Sequence, residues 1–512
     1  MILSQPKAYV TSRDMRMLEI NSEYLGVLPL QLMENAGKTV ADEIASRFKP
    51  GSQVVFFSGT GRNGGDGMVA ARHLVADGFK VKFILVGREA DISDEIVVRN
   101  WKTIREMDWT IDINVLGDSS LIQPFSANVL VDALLGTGAK GNLRQPVLRA
   151  VRALNDSEGF CVAVDVPSGV DSDTGEILGE AVRADLTVTF HRMKSGLEKA
   201  RDYSGEIKVV EIGIPYEAEL YAGPGDVEII PKTREPQSHK GDFGRLLVLG
   251  GSETFSGAPA LVALAALRTG VDLAYVAAPE RTAYAISSFS PDLITLKLSG
   301  EHFAPQNVGQ LKGMITKATA IVAGPGLGTH RDSFKAVEEL LKVLEELRKP
   351  TLLDADALKA FSSIKRKVDF PFVVTPHSGE FEAVSGRKPS VELHARIEDV
   401  KSLAKEIGSV VLLKGHTDII SDGERVKLNL TGNPGMTVGG TGDVLSGIVG
   451  GFMAQGVDPF KAAVAGAFIN GAAGDFVYRE KGFHMTPTDL IEFIPRVIMD
   501  PMSHRDVKIH ER

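Results

Sequence analysis

Short apolar runs rich in β-branched residues alternate with longer amphipathic stretches along most of the chain. This alternation predicts parallel strands joined by helices, the pattern of an α/β fold. The strands predicted in the first part of the chain are QVVFFSG, KVKFILVG, NVLVDALLG, FCVAVDVPSG, ADLTVTF and GEIKVVEIG. Those predicted in the second part are GRLLVLGGS, LAYVAAP, ATAIVAGPGLG, PTLLDADAL, FVVTPHSGEF and SVVLLKGHTDII.

A segment rich in proline, glycine and charged residues separates the two series of strands. It reads GIPYEAELYAGPGDVEIIPKTREPQSHKGDFG and lacks the alternation seen on either side. Such a composition is typical of a connection between domains. A chain of 512 residues is also long enough to form more than one core. We therefore predict a first domain at residues 1–215, a linker at 216–229 and a second domain at 230–512.

Composition narrows the class of protein. The chain is 43% hydrophobic and 24% charged, as in ordinary globular proteins, and its net charge is -9. Because nucleic acids are bound by basic surfaces, we expect no nucleic-acid partner and favour small-molecule substrates.

The N-terminal segment lacks an apolar signal sequence, and Arg268 and Asp272 interrupt the most apolar later stretch, so no membrane span is expected. The single cysteine, Cys161, excludes an internal disulfide framework and favours a reduced, cytoplasmic setting.

A glycine-rich motif follows the first predicted strand. In GTGRNGGDG, residues Gly59, Gly61 and Gly64 have the spacing of a dinucleotide-binding turn. Asp66 argues against that interpretation, because a phosphate-binding loop presents backbone N–H groups to an anion. The next strand ends at Arg88 and not in a ribose-binding acid, although an arginine there could bind a 2′-phosphate. A dehydrogenase therefore stays open as an alternative.

Oxygen-bearing side chains follow three of the predicted strands in the first half: Asn63, Asp66, Asp132, Asp165 and Ser168. The carboxyl ends of neighbouring parallel strands meet at one edge of a sheet, so these groups are expected to share a crevice. Carboxylates gathered in that way repel one another unless a cation or a proton compensates them. The alternative is structural, with Asp66 capping a helix that starts near Met68 and the other acids at ordinary strand ends.

The motifs GTGRNGGDG, VDALLGTGAKG and AVDVPSGVDSDTG, in this order, resemble the YjeF N-terminal domain, the NAD(P)H-hydrate epimerase, over about residues 1–215. The resemblance implies that Asn63, Asp132 and Ser168 bind a potassium ion and that Asp165 is the catalytic acid/base. The substrate-binding residues that it implies are Arg62, Asn63, Gly64, Gly65, Asp66, Gly136, Thr137, Gly138, Ala139, Lys140, Gly141, Asn142 and Asp165. Arg62 departs from the family, which usually has asparagine there, so it should point outward or bind a substrate phosphate.

A second glycine-rich motif, TVGGTGDVLSG, lies near the end of the second half. Gly439, Gly440 and Gly442 precede a helix predicted to begin near Val444, so backbone N–H groups at the helix start can bind a phosphoryl oxygen. Asp443 lies among them, where the helix dipole stabilises a carboxylate that can act as a base on a hydroxyl. The alternative for Asp443 is a simple helix N-cap.

The segments KGDFGRLLVLGGS, SGAPALVA, GPGLG, TPHSGEF and LKGHTDII, in this order, resemble the ribokinase-like YjeF C-terminal domain, the NAD(P)H-hydrate dehydratase, over about residues 230–495. The resemblance implies that ADP, with Mg²⁺, is bound by Lys414, Gly415, His416, Thr417, Asp418, Gly439, Gly440, Thr441 and Gly442. It further implies that the hydrated nicotinamide nucleotide is bound near Ala258, Gly326, His377 and Asp443, with Asp443 catalytic. For His377 a purely structural role at a strand end stays open.

The two resemblances together imply a Rossmann-like three-layer N-terminal domain and a ribokinase-like α/β C-terminal domain. The function they imply is repair of hydrated NADH and NADPH (NADHX and NADPHX): the R and S forms are epimerised, and the S form is dehydrated at the expense of ADP. A homo-oligomer is expected. The alternatives are a small-molecule kinase fused to a nucleotide-binding module, and a first half that serves only as an interaction module. Asn63, Asp132, Asp165 and Ser168 argue against the second alternative, because a scaffold needs none of them.

Overall fold

The computed structural model describes residues 9–231, 234–364 and 366–508. The chain divides into two compact units, Pro6–Tyr216 and Glu217–Arg512, called here the N-terminal and the C-terminal unit. The strands are β1 Tyr9–Val10, β2 Gln53–Ser58, β3 Lys80–Val86, β4 Ile111–Leu116, β5 Ser126–Ala133, β6 Glu158–Val164, β7 Leu186–Phe190, β8 Met193–Lys194, β9 Glu206–Val210, β10 Arg245–Leu249, β11 Leu273–Pro279, β12 Ile294–Leu298, β13 Ala320–Ala323, β14 Thr351–Leu353, β15 Phe372–Val374, β16 Val410–Leu413, β17 Asp418–Ser421 and β18 Val426–Asn429.

The α-helices are α1 Ser12–Leu25, α2 Pro29–Arg47, α3 Arg62–Ala76, α4 Glu95–Arg105, α5 Val147–Asn155, α6 Arg201–Ser204, α7 Tyr216–Leu220, α8 Pro224–Glu228, α9 Gly257–Arg268, α10 Glu280–Ser287, α11 Pro305–Lys317, α12 Arg331–Glu346, α13 Asp356–Ile364, α14 Ser378–Ser385, α15 Leu393–Ile407, α16 Thr441–Ala454, α17 Pro459–Lys481 and α18 Pro487–Met499. Short 3-10 helices lie at Glu89–Asp91, Ser119–Leu121, Pro434–Thr437 and Pro501–Asp506.

The N-terminal unit is built on a seven-stranded parallel sheet in the order β4-β3-β2-β5-β6-β7-β9. Successive side chains of a strand point to opposite faces. Phe56 of β2 stacks on Phe83, which contacts Trp101 of α4. The next residue, Phe57, belongs to a different apolar cluster that includes Val151 of α5. Helices therefore cover both faces, giving three layers.

The C-terminal unit is built on a nine-stranded sheet in the order β12-β11-β10-β13-β14-β15-β16-β17-β18. Its first seven strands are parallel, and β17 and β18 join antiparallel at one edge. Helix α16 packs against α9 and α17, and α17 packs against α18. The predicted fold class, a Rossmann-like three-layer domain followed by a ribokinase-like α/β domain, is confirmed.

Both helices predicted beside the glycine-rich motifs begin earlier than expected. Helix α3 starts at Arg62 and not near Met68, so Asp66 lies inside the helix and does not cap it. Helix α16 starts at Thr441 with Gly440 as its N-cap, so Asp443 lies in the first turn. A side chain cannot replace Gly64, because a Cβ atom there would come 2.0 Å from the Gly59 carbonyl oxygen.

The stretch at residues 216–229, expected to be a linker, folds into α7 and α8. Asp226 is buried in α8 and forms a 3.1 Å ion pair with Lys427 of β18, which is equally buried. Within residues 9–231, 234–364 and 366–508, no helix combines the length and the apolar character needed to cross a membrane.

Candidate active sites

In the N-terminal unit, Asp165 directly follows β6 and has a positive φ of 65°. Lys194, whose side chain is fully buried, donates from Nζ to Asp165 Oδ1 at 2.6 Å and to the Phe190 carbonyl oxygen at 2.7 Å. The Thr189 hydroxyl and the Phe190 N–H also donate to Oδ1, at 3.1 and 3.2 Å. Among the described residues, Asp165 Oδ2 accepts no hydrogen bond. The carboxylate is thus fixed through one oxygen, and the other is available to a ligand.

Further acidic groups surround this carboxylate. Burial, followed by the negative charges of Asp165 and Glu19, raises the pKa of Asp66 well above its usual range. Burial also raises the pKa of Glu19, against the opposing charge of Arg62. Arg62 pairs with Asp94 at 2.9 Å and with Glu19 at 3.4 Å. The sequence did not indicate Glu19 or Lys194, because each is distant along the chain from the glycine-rich motif.

Asp132 and Ser168, two of the three predicted potassium ligands, contact each other directly. The Ser168 N–H and hydroxyl each donate to the Asp132 carboxylate at 2.7 Å. Burial raises the pKa of Asp132 to about 6, although these hydrogen bonds lower it in part. The third residue, Asn63, is buried, and its Nδ2 has no partner among the described residues. A buried carboxylate, a hydroxyl and a polar amide are oxygen-donor groups of the kind that hard cations prefer, so the residues present fit such an ion.

The predicted substrate loop Gly136–Asn142 follows β5 and is tied to a second loop. Lys140 Nζ donates to Asp171 at 2.9 Å and to Asp173 at 3.3 Å. Burial alone would raise the pKa of Asp171, but hydrogen bonds from Lys140 and from backbone N–H groups lower it to about 2. At its other end, Gly136 lies beside the Asn63 side chain. The loop therefore connects the Asn63 region to an ion-pair network.

In the C-terminal unit, Asp443 lies in the first turn of α16. This helix begins directly after Gly440, whose φ is 105°. Burial, together with the nearby negative charge of Asp354, raises the pKa of Asp443 to about 7, although Lys414 opposes the shift. Lys414 Nζ lies 2.9 Å from Asp354 Oδ1 and 3.9 Å from Glu380 Oε2. A carboxyl group with a pKa near neutrality can act as a general base at physiological pH.

Asp354 links the end of β14 to α16, and its sequence pattern did not indicate a site residue. It follows β14 and is almost fully buried. Its Oδ2 accepts the Ser446 hydroxyl of α16 at 2.7 Å, while its Oδ1 receives Lys414. A Cβ atom on Gly442 would lie 3.5 Å from Lys414 Nζ. The predicted nucleotide segments, 414–418 and 439–442, therefore come together at the Lys414 ammonium group, which Asp354 holds.

The predicted nucleotide loop Lys414–Asp418 is shaped by its own last residue. Asp418 accepts the Gly415 N–H at 2.9 Å and the Asn429 amide at 3.0 Å, and burial raises its pKa. Arg396 of α15 lies against the loop, with Nη2 3.0 Å from the position that a Cβ atom on Gly415 would take. The Nε of Arg396 is buried and has no hydrogen-bond partner among the described residues. This guanidinium is a further donor that the motifs did not indicate.

Of the residues predicted to bind the hydrated nicotinamide, Ala258 and Gly326 are neighbours, and His377 caps a helix. Ala258 and Gly326 lie side by side, since a Cβ atom on Gly326 would come 3.5 Å from that of Ala258. His377 is the N-cap of α14: its Nδ1 accepts the Gly379 and Glu380 N–H groups at 3.0 and 3.4 Å. Its side chain is 60% exposed. The structural role considered for His377 is therefore present, and it leaves most of the ring accessible.

A buried polar network holds the segment that leads into the second glycine-rich motif. Asp475 of α17 accepts the Gly432 N–H and the Asn433 amide, both at 3.0 Å. His504, in the 3-10 helix at Pro501–Asp506, contacts the same carboxylate at 2.9 Å. The segment at Gly432 and Asn433, helix α17 and the 3-10 helix therefore meet at the Asp475 carboxylate. The loop before the second glycine-rich motif is thus fixed by residues far along the chain.

Both units match known families. Residues 29–196 match a family model described as YjeF-related protein N-terminus, and residues 246–496 match one described as NAD(P)H-hydrate dehydratase. The chain is 47% identical to the bifunctional NAD(P)H-hydrate repair enzyme Nnr of Pyrobaculum aerophilum, over 96% of this chain and 98% of that one. It is 43% identical to the protein of the same name from Methanothermobacter thermautotrophicus, over 98% and 97%. A crystal structure of the ADP/ATP-dependent NAD(P)H-hydrate dehydratase from Bacillus subtilis is similar with a TM-score of 0.47 and 26% identity, covering 55% of this chain and 98% of that one.

Proposed function

This chain belongs to the family of bifunctional NAD(P)H-hydrate repair enzymes, and from that premise we propose how its two units divide and perform the two reactions. The enzyme epimerises the R and S forms of NAD(P)H hydrate and dehydrates the S form with ADP, giving NAD(P)H, AMP and phosphate. We assign epimerisation to the N-terminal unit and dehydration to the C-terminal unit, with the division at residues 216 and 217.

In the epimerase site, Asp165 acts as acid and base at the hydrated ring carbon. Its Oδ1 is held by Lys194, Thr189 and the Phe190 N–H, so Oδ2 meets the substrate. The stretch Arg62–Asp66 and the loop Gly136–Asn142 bind the rest of the nucleotide. Arg62 already neutralises Glu19 and Asp94, and its charge therefore keeps an anionic substrate phosphate from being repelled by those acids.

Asn63, Asp132 and Ser168 hold the potassium ion in this proposal. The support is the buried Asp132 carboxylate together with the buried Asn63 side chain, whose amide oxygen lies beside Gly136. When bound, the ion supplies positive charge that fixes the oxygen atoms of the substrate. Ser168 and the backbone around it orient these ligands, since both of its donors already contact Asp132.

In the dehydratase site, Asp443 removes the proton from the substrate hydroxyl as that oxygen takes the β-phosphoryl group of ADP. The N–H groups of Gly439–Gly442 stabilise the transferred group, because they lie at the start of α16. Lys414–Asp418 binds the nucleotide, and Arg396 donates to its phosphates or ribose. Lys414 pairs with Asp354 and lies 3.9 Å from Glu380, and the Mg²⁺ that we propose would be bound mainly through the nucleotide phosphates. Departure of phosphate from the ring carbon, with loss of a proton from the neighbouring ring carbon, forms the ring double bond and restores the reduced nicotinamide.

The kinase and interaction-module hypotheses are set aside, since relatives that match nearly the whole chain are repair enzymes and the C-terminal family is a dehydratase. We keep the homo-oligomer and the cytoplasmic location as proposals. The observation that carries the chemistry is Asp443, with its pKa of about 7, between Lys414 and the N-terminus of α16.

Product analysis tests whether the protein performs both reactions. The full-length protein is given a mixture of R and S hydrates with ADP, and near-ultraviolet absorbance, AMP and phosphate are followed together. We expect both epimers to be consumed, with NAD(P)H, AMP and phosphate formed in equal amounts. Consumption of the S form alone would refute the epimerase assignment. Accumulation of a stable phosphate ester would show a kinase instead of a dehydratase.

A further inference from the structure

Two histidines and an aspartate meet on the surface of the C-terminal unit, outside the residues assigned above. His302 lies between β12 and α11, His330 is the N-cap of α12, and Asp332 is in the first turn of that helix. One ligand atom from each lies within 4.8 Å of the other two. Within residues 9–231, 234–364 and 366–508 this is the only such group of three histidine, cysteine or acidic residues.

We propose that His302, His330 and Asp332 bind one divalent transition-metal ion of the zinc class. Two imidazoles and a carboxylate are the donor set of many three-ligand zinc sites, in which water completes the tetrahedron. His302 Nε2 lies 3.7 Å from Asp332 Oδ2, and His330 Nδ1 lies 4.0 Å from the same oxygen. Ligands about 2.0–2.2 Å from a tetrahedral ion are roughly 3.4 Å apart, so both imidazoles have to move toward Asp332 Oδ2 by about 0.3–0.6 Å. His330 Nδ1 also has to release the Asp332 N–H that it accepts, because its one lone pair cannot serve both.

Helix capping explains only part of this arrangement. His330 Nδ1 accepts the Asp332 N–H at 3.2 Å, which accounts for the position of His330. It does not account for His302, which comes from another segment and places its ring centroid 3.7 Å from that of His330.

Other groups near the three ligands leave room for an ion. Lys335 is the nearest competing cation, and its Nζ contacts Asp332 Oδ1 at 3.5 Å. The oxygen that faces the histidines is the other one, Oδ2. Exposed lysine pairs of this kind contribute little, so the lysine can move aside when an ion binds. Asp332 also offsets the unfavourable interaction of a cation with the N-terminus of α12.

Such an ion would be structural. It would join the segment before α11 to the start of α12, two parts of the chain about 30 residues apart. His330 follows the loop of Gly324–Gly328, and Gly328 is itself held by a 2.9 Å hydrogen bond to Asp356. The ion therefore tethers the far end of the loop that carries Gly326, without contact with the groups proposed to react.

Metal binding by the full-length protein tests this inference. Protein stripped with a chelator is titrated with Zn²⁺ by calorimetry, and bound metal is measured after dialysis. We expect one Zn²⁺ per chain, and at least about tenfold weaker binding in both His302→Ala and Asp332→Asn. His394→Ala, an exposed histidine in the first turn of α15, is the matched control and should bind as the unaltered protein does.

One spectroscopic and one stability measurement test the same site independently. Co²⁺ in place of Zn²⁺ should give the intense visible absorption of a tetrahedral site, and the metal should raise the thermal unfolding midpoint of the unaltered protein but not of His302→Ala. Absence of stoichiometric Zn²⁺ binding would overturn the proposal. Binding that is unchanged in both variants would equally overturn it, because the ion would then lie elsewhere.

Discussion

Lys194 reaches Asp165 from a position with no solvent exposure, and the two side chains are joined by a 2.6 Å hydrogen bond. Removing either partner leaves the other charge buried and uncompensated, which is far more costly than breaking a surface ion pair. The pair also selects which carboxylate oxygen faces the substrate. Lys194 is therefore a positioning residue for the proposed acid/base, and its effect can be separated from that of general stability.

Replacing Lys194 with Met should lower the epimerisation rate by roughly 10²-fold or more, since Asp165 loses its anchor and its counter-charge. We expect kcat to fall more than KM rises, and the dehydration of pure S hydrate to be unaffected. Lys199→Met, at an exposed position nearby, should leave both activities unchanged. Exchange between R and S forms, followed by chromatography, measures the effect. Full epimerisation by Lys194→Met would show that Asp165 is positioned without it.

Asp165→Asn should abolish epimer exchange, because asparagine keeps the shape of the side chain but cannot transfer the proton. Dehydration of the S form by the same variant should be normal, because we assign it to the other unit. The variant should remain folded by far-ultraviolet circular dichroism but unfold at a lower temperature, since Lys194 is left buried without its counter-charge. The result that contradicts the assignment is normal epimerisation. In that case Asp66, whose pKa burial raises well above its usual range, is the next candidate.

Asp132→Ala should lower epimerisation and its dependence on potassium together. Asp132 is buried and holds Ser168 through two hydrogen bonds, so its removal disrupts two of the three proposed ion ligands at once. Rates measured over a potassium series, with sodium keeping the ionic strength constant, give the dependence. The exposed Asp108→Ala serves as the control. Full activity of Asp132→Ala in potassium-free buffer would rule out the ion site.

Dehydration should accelerate as the pH rises through about 7. Burial and the charge of Asp354 raise the pKa of Asp443 to about 7, and only the ionised form can accept a proton. Asp354→Asn removes a negative charge and should move the midpoint of this pH dependence to lower pH.

Asp443→Ala should lower the dehydration rate by roughly 10²–10⁴-fold at every pH, with little change in ADP affinity, because the amides of α16 remain. Single-turnover rates on S hydrate between pH 5 and 9 measure both effects, and near-normal dehydration by Asp443→Ala would refute the mechanism.

Arg396→Met should weaken ADP binding by roughly tenfold, the loss expected for one charge-assisted hydrogen bond. The buried Nε without a partner and the contact with Gly415 place this donor at the proposed nucleotide loop. Arg387→Met, exposed on the same unit, is the matched control. Calorimetric titration with ADP gives the dissociation constants. Unchanged ADP affinity would assign Arg396 to a structural role.

The central strands of both large sheets could be predicted from sequence, but of the four strands at the sheet edges only β9, in the segment GEIKVVEIG, could be. The strands β4, β12 and β18, which the apolar pattern missed, each lie at the edge of a sheet. Edge strands need no continuous apolar run. Strand β18 carries Lys427, which is buried because it pairs with Asp226, a residue some 200 positions earlier in the chain. Local patterning carries no information about such a contact.

The candidate sites show the same limit. Asp132, Asp165 and Asp443 could be proposed because each lies in a motif at a strand or helix end. Lys194 and Asp354 could not, since their importance comes only from the side chains that folding brings to them. The helix start at Arg62 was also missed, because the glycines of that motif suggested a loop where close packing required them.

The network at Asp475 has a consequence for the order in which the molecule can mature during synthesis. The sheet strands and α16 precede Asp475 and His504 along the chain, so they are synthesised before the residues that hold the segment at Gly432 and Asn433. That segment is fastened only when α17 and the 3-10 helix at Pro501–Asp506 have also been made and have folded against it. A nascent chain would therefore complete the strands of its second sheet before it fixes the loop that leads into the second glycine-rich motif.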